Sequence, residues 1–531
     1  MTKNNEFDYV IVGAGSAGCV LANRLSANPD CQVLLLEAGG KDWHPFIHMP
    51  AGIAKLLAME SLNWNYYTQP EPQLNNRKLY WPRGKVLGGS SSINAMCYCR
   101  GHKKDYDLWQ ELGNHGWSYK DVLPYFIKSE NNHRINNDFH GNTGPLQVSD
   151  LIYHNVLADT FLTACQQQNY NLTDDFNGSH QQGFGLYQVT QEHGRRSSSS
   201  QAYLQTVKSR KNLTVWTNSE CQRVIIKSAK AKGVEIKKKG KPLKVYARKE
   251  VILSGGALNS PHLLMLSGIG AAQHLEKHEI KVNLDLKGVG ENLQDHLDVS
   301  LVQRCSKKVS YDTLNELKAG LQYLLFKTGA GTSNAAEAGG FLKTNLNDEQ
   351  WPDLQFHFIP AIIDDHGRNT SFTGNGYTLH MCYLRPKSRG KLKLASNNPQ
   401  QPIKIFANYL SNPNDLEYMK KGFKIQRKIF SSQAFDQYRD AEIFPGSEVQ
   451  SEKQIEEFIR NKAETIYHPV GTCKMGDDDW AVVDKSLKVH GIENLRVVDA
   501  SIMPNLISGN TNAPTMMIAE KISDEIINGS H

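Results

Sequence analysis

Short apolar runs separated by glycine turns dominate the first part of this chain. Phe7 to Val12 is a run of aromatic and β-branched residues and predicts a strand. Gly13-Ala14-Gly15-Ser16-Ala17-Gly18 follows at once, then an amphipathic stretch from Cys19 to Leu25 that predicts a helix. A second apolar run, Val33 to Leu36, ends at Glu37. Between Lys227 and Lys249 lysines alternate with apolar residues, as they do around Val224, Ile226, Val234 and Ile236; this predicts paired strands with one solvated face. Ser260 is placed to cap a helix that begins at Pro261 and stops at Gly268. Strand alternation returns at Lys391-Leu392-Lys393-Leu394. Strands alternating with helices put the chain in the α/β class, α+β overall once the antiparallel runs are included.

The first of these units has a chemical reading. Gly13 permits a tight turn, Gly15 lets a pyrophosphate approach the backbone, and Gly18 lets the helix lie close on the strand. The helix N-terminus at Ser16 and Ala17 then offers free N–H groups and a positive dipole end to phosphates. Glu37, 19 residues after Gly18, is placed to accept hydrogen bonds from ribose hydroxyls. The unit binds a dinucleotide without choosing between NAD and FAD, although an acid at that point argues against NADP.

Bulk properties narrow the class further. With 531 residues, 39% hydrophobic and 21% charged, the chain is a globular protein of two or three intertwined domains. A net charge of +6 without an Arg-rich block interleaved with aromatics argues against nucleic acid as a partner. Nine cysteines, an odd number without a Cys-x-x-Cys pair, fit a reducing compartment better than a disulfide framework. No metal site is expected. Six residues precede Phe7, too few for a signal peptide, and no apolar run is long enough to span a bilayer. The expected location is the cytoplasm, with peripheral association on the inner face of the cell membrane left open.

Two more glycine-rich segments extend the chemistry. Arg83-Gly84-Lys85-Val86-Leu87-Gly88-Gly89-Ser90-Ser91-Ser92-Ile93-Asn94 suits neither a packed helix nor a strand. Flanked by apolar residues, it reads as a buried loop lying against a flat ligand. Gly255-Gly256-Ala257-Leu258-Asn259-Ser260-Pro261 through Gly268-Ile269-Gly270 follows an apolar strand. With the first unit, these runs resemble the three signatures of the glucose–methanol–choline oxidoreductase family, in the same order, and the resemblance covers essentially the whole chain. It implies a Rossmann-like FAD-binding domain with an inserted antiparallel-sheet substrate domain flanked by helices. The FAD-binding parts would be residues 1–155, 205–300 and 461–531, and the substrate parts 156–204 and 301–460. The cofactor contacts it implies are Gly13, Gly15, Ser16, Ala17, Gly18, Glu37, Ala38, Arg83, Gly84, Val86, Gly88, Gly89, Ser90, Asn94, Ala95, Val224, Asp499, Ala500, Asn512, Pro514 and Thr515.

Oxidation of an alcohol needs a base for the hydroxyl proton, and a neutral imidazole suits that task. His468, in Tyr-His-Pro-Val-Gly-Thr, is the candidate, its backbone restricted by Pro469. Asn512 reads as a helix cap with Pro514 in the first turn, and as a donor to the alkoxide oxygen. The resemblance implies a catalytic pair of histidine with histidine or asparagine, matched here by His468 and Asn512. Some choline-oxidising relatives attach FAD through a histidine in the glycine-serine loop; Ile93 stands there in this chain, so noncovalent FAD is expected. Glu337 is a carboxylate that could face a cationic substrate, although a structural role is the better reading.

The sequence is most similar to the bacterial primary-alcohol dehydrogenases of the family. This implies a primary alcohol as substrate and a quinone or other electron acceptor. Alternatives left open are a choline dehydrogenase, an oxidase that uses dioxygen, and a lyase acting on cyanohydrins that binds FAD without reducing it.

Overall fold

The computed structural model describes residues 5–346, 348–369 and 372–529. Two sheets organise it. In the first, parallel strands run in the order Leu213–Trp216, Val33–Leu36, Glu6–Val12, Lys241–Leu253. Leu495–Val497 adds in parallel to the C-terminal end of Lys241–Leu253. Val33 to Leu36 are all buried, as expected of a parallel strand covered on both faces. The lysine-rich stretch forms a three-stranded antiparallel meander, Ser219–Lys227, Lys230–Lys238 and the start of Lys241–Leu253. The helix Ser16–Leu25 and the C-terminal helix Asn512–Asn528 pack together beside this sheet. Their contact includes a fork in which Arg24 Nε and Nη2 donate to the two carboxylate oxygens of Glu520 at 2.8 and 2.7 Å.

The second sheet is antiparallel, in the order Arg439–Phe444, Leu297–Cys305, Gly376–Tyr383, Leu354–Ile359, Ala338–Leu342, Gly183–Leu186. Period-two alternation divides its faces. Val299, Leu379 and Met381 turn toward the helix Pro413–Phe430, where Gln426 Nε2 donates to the carbonyls of Val299 and Leu379. Asp298, Ser300, His357 and His380 turn the other way, into a cavity. The expected division at 300/301 falls inside the strand Leu297–Cys305, and Glu464–Thr465 pairs with the start of that strand beyond the expected limit of 460. A strand is a unit of hydrogen bonding, and its composition carries no mark of where a domain would be cut.

One local expectation is corrected. The helix expected from Pro261 begins at Gly256 and carries Pro261 in its interior. Proline there removes one donor from the helix ladder and frees the carbonyl of Ala257. Thr472 Oγ1 donates to that carbonyl at 2.6 Å. Ser260 is therefore not the cap; it donates to Asp499 Oδ2 at 2.5 Å. The buried serine run 197–200 opens a helical turn, with Ser198 Oγ accepting from Gln201 N at 3.3 Å, and Ser199 N donates to Ser91 Oγ at 3.0 Å, which pins the glycine-serine loop.

Candidate active site

The two glycine loops meet backbone to backbone. Gly13 has φ +101°, and a Cβ there would fall 2.4 Å from the Ser254 carbonyl oxygen. A Cβ on Gly18 would lie 1.9 Å from the Gly13 oxygen, so the helix start is pressed onto the strand end. A Cβ on Gly89 would stand 2.7 Å from Cα of Gly15, and Gly88 N donates to Ala14 O at 2.8 Å. Glu37 closes the turn, accepting from Ala14 N at 3.0 Å and Gly39 N at 2.8 Å. Burial pushes its carboxyl up to about 7.

A cavity of about 1180 Å³ opens between these loops and the polar face of the second sheet. Its size exceeds that of an ordinary small-ligand pocket and leaves room for a dinucleotide together with a substrate. Gly13, Gly15, Ser16, Ala17, Glu37, Ala38, Arg83, Gly84, Gly89, Ser90, Asn94, Ala95, Asp499, Ala500, Asn512 and Thr515 all line it. The bare backbone of two helix starts, a glycine loop that a Cβ would block and an acid at the strand end fit the phosphates and ribose of FAD.

Five of the expected contacts do not line the cavity. Gly18 and Gly88 act through backbone shape, Gly88 with φ +87°. Val86 is buried in an apolar cluster with Ile47, Leu56, Leu62 and Ile93. Val224 is buried, its N–H donating to Ser267 Oγ at 2.8 Å. The cavity is met by Ser219, Glu220 and Cys221 at the start of the strand instead. Pro514 is buried in the first turn of the C-terminal helix.

The expected pairing of His468 with Asn512 is also corrected. Asn512 is the first residue of its helix rather than the cap, which is Thr511. Its Oδ1 accepts from Ser16 Oγ at 2.7 Å, which joins the starts of the two helices. The residue beside His468 is Asn510, with Nδ2 3.2 Å from His468 Nε2. Gln355 Nε2 donates to Asn510 Oδ1 at 2.9 Å, so the amide turns its N–H side to the imidazole. Asn510 stands in an irregular stretch with Asn512 two residues on, and nothing in the sequence ranks one above the other.

Two hydrogen bonds fix the backbone that carries His468, and two more hold the aspartate that receives one of them. Its N–H donates to Asp295 Oδ1 at 2.7 Å. Asp295 Oδ2 accepts from Thr465 Oγ1 at 2.5 Å and from the Tyr409 hydroxyl. Arg83 Nη2 donates at 2.7 Å to the carbonyl of Tyr467, itself held at φ 71°. Arg83 thus holds the segment that carries His468 as well as lining the cavity.

A second imidazole sets the tautomer of the first. His296 Nε2 lies 3.0 Å from the Leu384 carbonyl, which only accepts, so the proton sits on that nitrogen. Burial lowers His296 to about 4, which keeps the ring neutral and leaves Nδ1 with a lone pair. His468 Nδ1, 2.9 Å away, must then be the donor. The neutral His468 therefore presents a bare Nε2 to Asn510 and the cavity. Burial, followed by the neighbouring His296, His357 and Arg83, holds His468 well below the ordinary histidine value. A base with a lowered value stays unprotonated as pH falls, so kcat/KM for substrate oxidation should hold through pH 6.5 and decline only below it. A pH profile whose acid limb lies above pH 7 would contradict this arrangement.

His296, His357, His380, Asp295 and Asp298 were not foreseen. Asp298 and Ser300, and likewise His357, are the polar members of strands whose alternate residues are apolar; this was the signal available. Ser300, His380 and His357 lie side by side across three strands. His380 Nδ1 is 2.6 Å from Asp298 Oδ2, while Asp298 Oδ1 and His380 Nε2 are buried without a partner among the described residues. Glu337 is structural: fully buried, it accepts from Asn155 N at 2.8 Å, from Ser333 Oγ at 2.5 Å and from Tyr311.

Comparison with known proteins shows the family. Two GMC oxidoreductase family models match, one over residues 7–298 and one over 386–519. An alcohol dehydrogenase [acceptor] of Pseudomonas putida is 49% identical over 98% of this chain and 96% of its own length. The mitochondrial choline dehydrogenase of Mus musculus is 46% identical over 98% of this chain and 89% of its own. Among solved structures, pyridoxine 4-oxidase from Mesorbium loti superposes with a TM-score of 0.90 at 31% identity, covering 99% of this chain and 100% of that one. A formate oxidase variant from Aspergillus oryzae gives 0.92 at 28%, covering 100% and 99%. The chain belongs to the GMC oxidoreductase family.

Proposed function

We propose that this protein oxidises a primary alcohol to an aldehyde, with FAD as cofactor and a quinone-type molecule as electron acceptor. The observation that carries the reading is the bare Nε2 of a neutral, buried His468 facing the same cavity as the nucleotide cradle. Bound FAD would supply the centre that accepts a hydride from the carbinol carbon. It would be held by the Gly13–Ala17 turn, Glu37, the 83–95 loop, Asp499–Ala500 and the start of the C-terminal helix. His468 Nε2 takes the hydroxyl proton, and an Asn510 N–H steadies the oxygen as its charge grows. Asn512, at the positive end of its helix, favours negative charge on its neighbour in the cavity. Ile93 has no nucleophilic atom, so the cofactor is held without a covalent bond and acid releases it. Peripheral contact with the cytoplasmic face of a membrane accords with a quinone acceptor.

A second reading, choline oxidation, is favoured by one observation: the unpartnered Asp298 oxygen in the cavity wall. Anaerobic mixing tests both. Straight-chain primary alcohols should bleach the flavin absorbance and choline should not; bleaching by choline alone reverses the assignment, and a flavin that no alcohol bleaches points to the lyase. In the same assay Asn510→Ala should slow bleaching roughly 10²-fold, the scale of losing one donor to a developing oxyanion. Asn512→Ala should leave the rate within about fivefold of the parent and act mainly on flavin affinity, as loss of one hydrogen bond of about 1 kcal/mol would. Equal losses in the two variants would return Asn512 to the catalytic pair.

A further inference from the structure

We propose that Arg196 is a positioning residue for the flavin: it turns the amide of Asn94 into the cavity as a hydrogen-bond donor, and its own unneutralised charge favours the reduced, negatively charged form of the ring. Arg196 is 2% exposed and lines no part of the cavity. Its guanidinium meets only neutral acceptors. Nε donates to the Ile47 carbonyl at 2.7 Å, and Nη1 to the Asn94 carbonyl at 2.7 Å, to Asn94 Oδ1 at 2.8 Å and to the Ser91 carbonyl at 3.2 Å. Nη2 is buried without a partner, and no carboxylate faces the group among the described residues.

A buried charge is costly unless one of opposite sign answers it. Another fully buried arginine of the chain is answered in this ordinary way: Arg100 pairs with the equally buried Glu130. Burial lowers Arg196 to about 9, so near neutral pH the group still carries its charge. The protein thus keeps a cation behind the glycine-serine loop and leaves its compensation to what the loop holds.

The same contacts fix how Asn94 stands. Its Oδ1 accepts from Arg196 Nη1 and also from Met96 N at 3.1 Å, in a turn that holds Met96 at φ 61°. Two donors on one atom identify that atom as the amide oxygen and fill both of its acceptor positions. Nδ2 is therefore on the other side of the amide. It meets no acceptor among the described residues, it is not enclosed by protein, and Asn94 lines the cavity. Its two N–H groups are offered to the occupant of the cavity.

The course of the loop points to the ring as that occupant. At Gly89 the loop touches the phosphate turn, since a Cβ there would stand 2.7 Å from Cα of Gly15. At Cys99 it has reached the neighbour of Asn510, since a Cβ on Gly509 would lie 3.5 Å from Cβ of Cys99. Asn94 is midway along the chain between the phosphate end and the end where His468 and Asn510 meet. The acceptors of an isoalloxazine ring gain negative charge when it is reduced, so a donor and a fixed cation beside them favour the reduced form. This role rests on the FAD proposed above.

The test is the two-electron midpoint potential of the flavin in the purified holoenzyme, read by spectrophotometric titration against a reference dye, with the Kd for FAD measured in parallel. In Arg196→Met the equilibrium between oxidised and reduced flavin should move about tenfold toward the oxidised form, the order expected of one unit charge acting through a protein interior. For a two-electron couple that is a fall of about 30 mV. Arg196→Lys keeps the charge but lacks the planar fork, so it should loosen FAD while the same equilibrium stays within about threefold of the parent. A role in packing alone would weaken both variants and shift neither potential. Asn94→Asp carries the test if Arg196→Met fails to fold. Its Oδ1 can still accept from Met96 N and Arg196, and its charge neutralises the guanidinium in place, so the potential should fall at least as far as in Arg196→Met. A potential like the parent's in Arg196→Met, or in Asn94→Asp, would overturn the proposal. A raised Kd for FAD at an unchanged potential would overturn it too, by assigning the charge to the diphosphate. A parent that takes up no flavin would sink the cofactor reading along with this one, whereas a flavin-bound parent with unshifted variants would sink this one alone.

Discussion

Replacing His468 by glutamine should slow anaerobic reduction of the flavin by a primary alcohol by roughly 10²–10⁴-fold, the usual contribution of a positioned general base. Glutamine fills similar space but offers no basic nitrogen near neutrality, so the loss reports proton transfer rather than packing. The contacts that hold its backbone survive the change: its N–H still donates to Asp295 and the Tyr467 carbonyl still accepts from Arg83. Flavin content and thermal stability should therefore stay near those of the parent. Stopped-flow absorbance, with the flavin-to-protein ratio measured in parallel, checks both parts. A rate within about threefold of the parent, well below the range for a base, would remove His468 from the mechanism.

Gly13→Ala should yield protein that is colourless or nearly so. Two penalties act together. The backbone there has φ +101°, which L residues with a Cβ rarely adopt, and the added carbon would fall 2.4 Å from the Ser254 oxygen. The clash is with backbone, so no flexible side chain can yield. Either the turn moves, and with it the N–H groups of the helix start that the phosphates need, or Ser254 and the start of the helix Gly256–Leu266 move. Strained backbone positions cost on the order of 1–3 kcal/mol each, and a misplaced phosphate cradle costs further affinity. Absorbance of the purified variant, then its titration with added FAD, reads the effect. Full occupancy at the parent's affinity would show that the turn is not where the cofactor sits.

How much of this was legible in the sequence differs by element. The strand-turn-helix-strand unit was readable because each residue answers a local demand: three glycines for close backbone approach, apolar runs for a covered parallel sheet. The imidazole proposed as the base was singled out by its neighbours in sequence. Its partners were not. Asn510, in an irregular segment, and Asn512, at the start of the C-terminal helix, are turned to different partners by Gln355 and Ser16, both distant in the chain. His296 and Asp295 serve His468 through contacts across more than 170 residues. Val224 was misread because the cavity meets only the first three residues of its strand, Ser219 to Cys221.

The proline inside the helix Gly256–Leu266 has one more implication. By giving up an amide, it hands a carbonyl to Thr472, which stands in the His-Pro-Val-Gly-Thr stretch 215 residues along the chain. The scaffold that grips the nucleotide and the segment that presents the base are thereby sewn to each other at a point where neither has a spare partner. Ordering one orders the other, so an enzyme stripped of its cofactor would lose the aim of its base along with the cofactor itself.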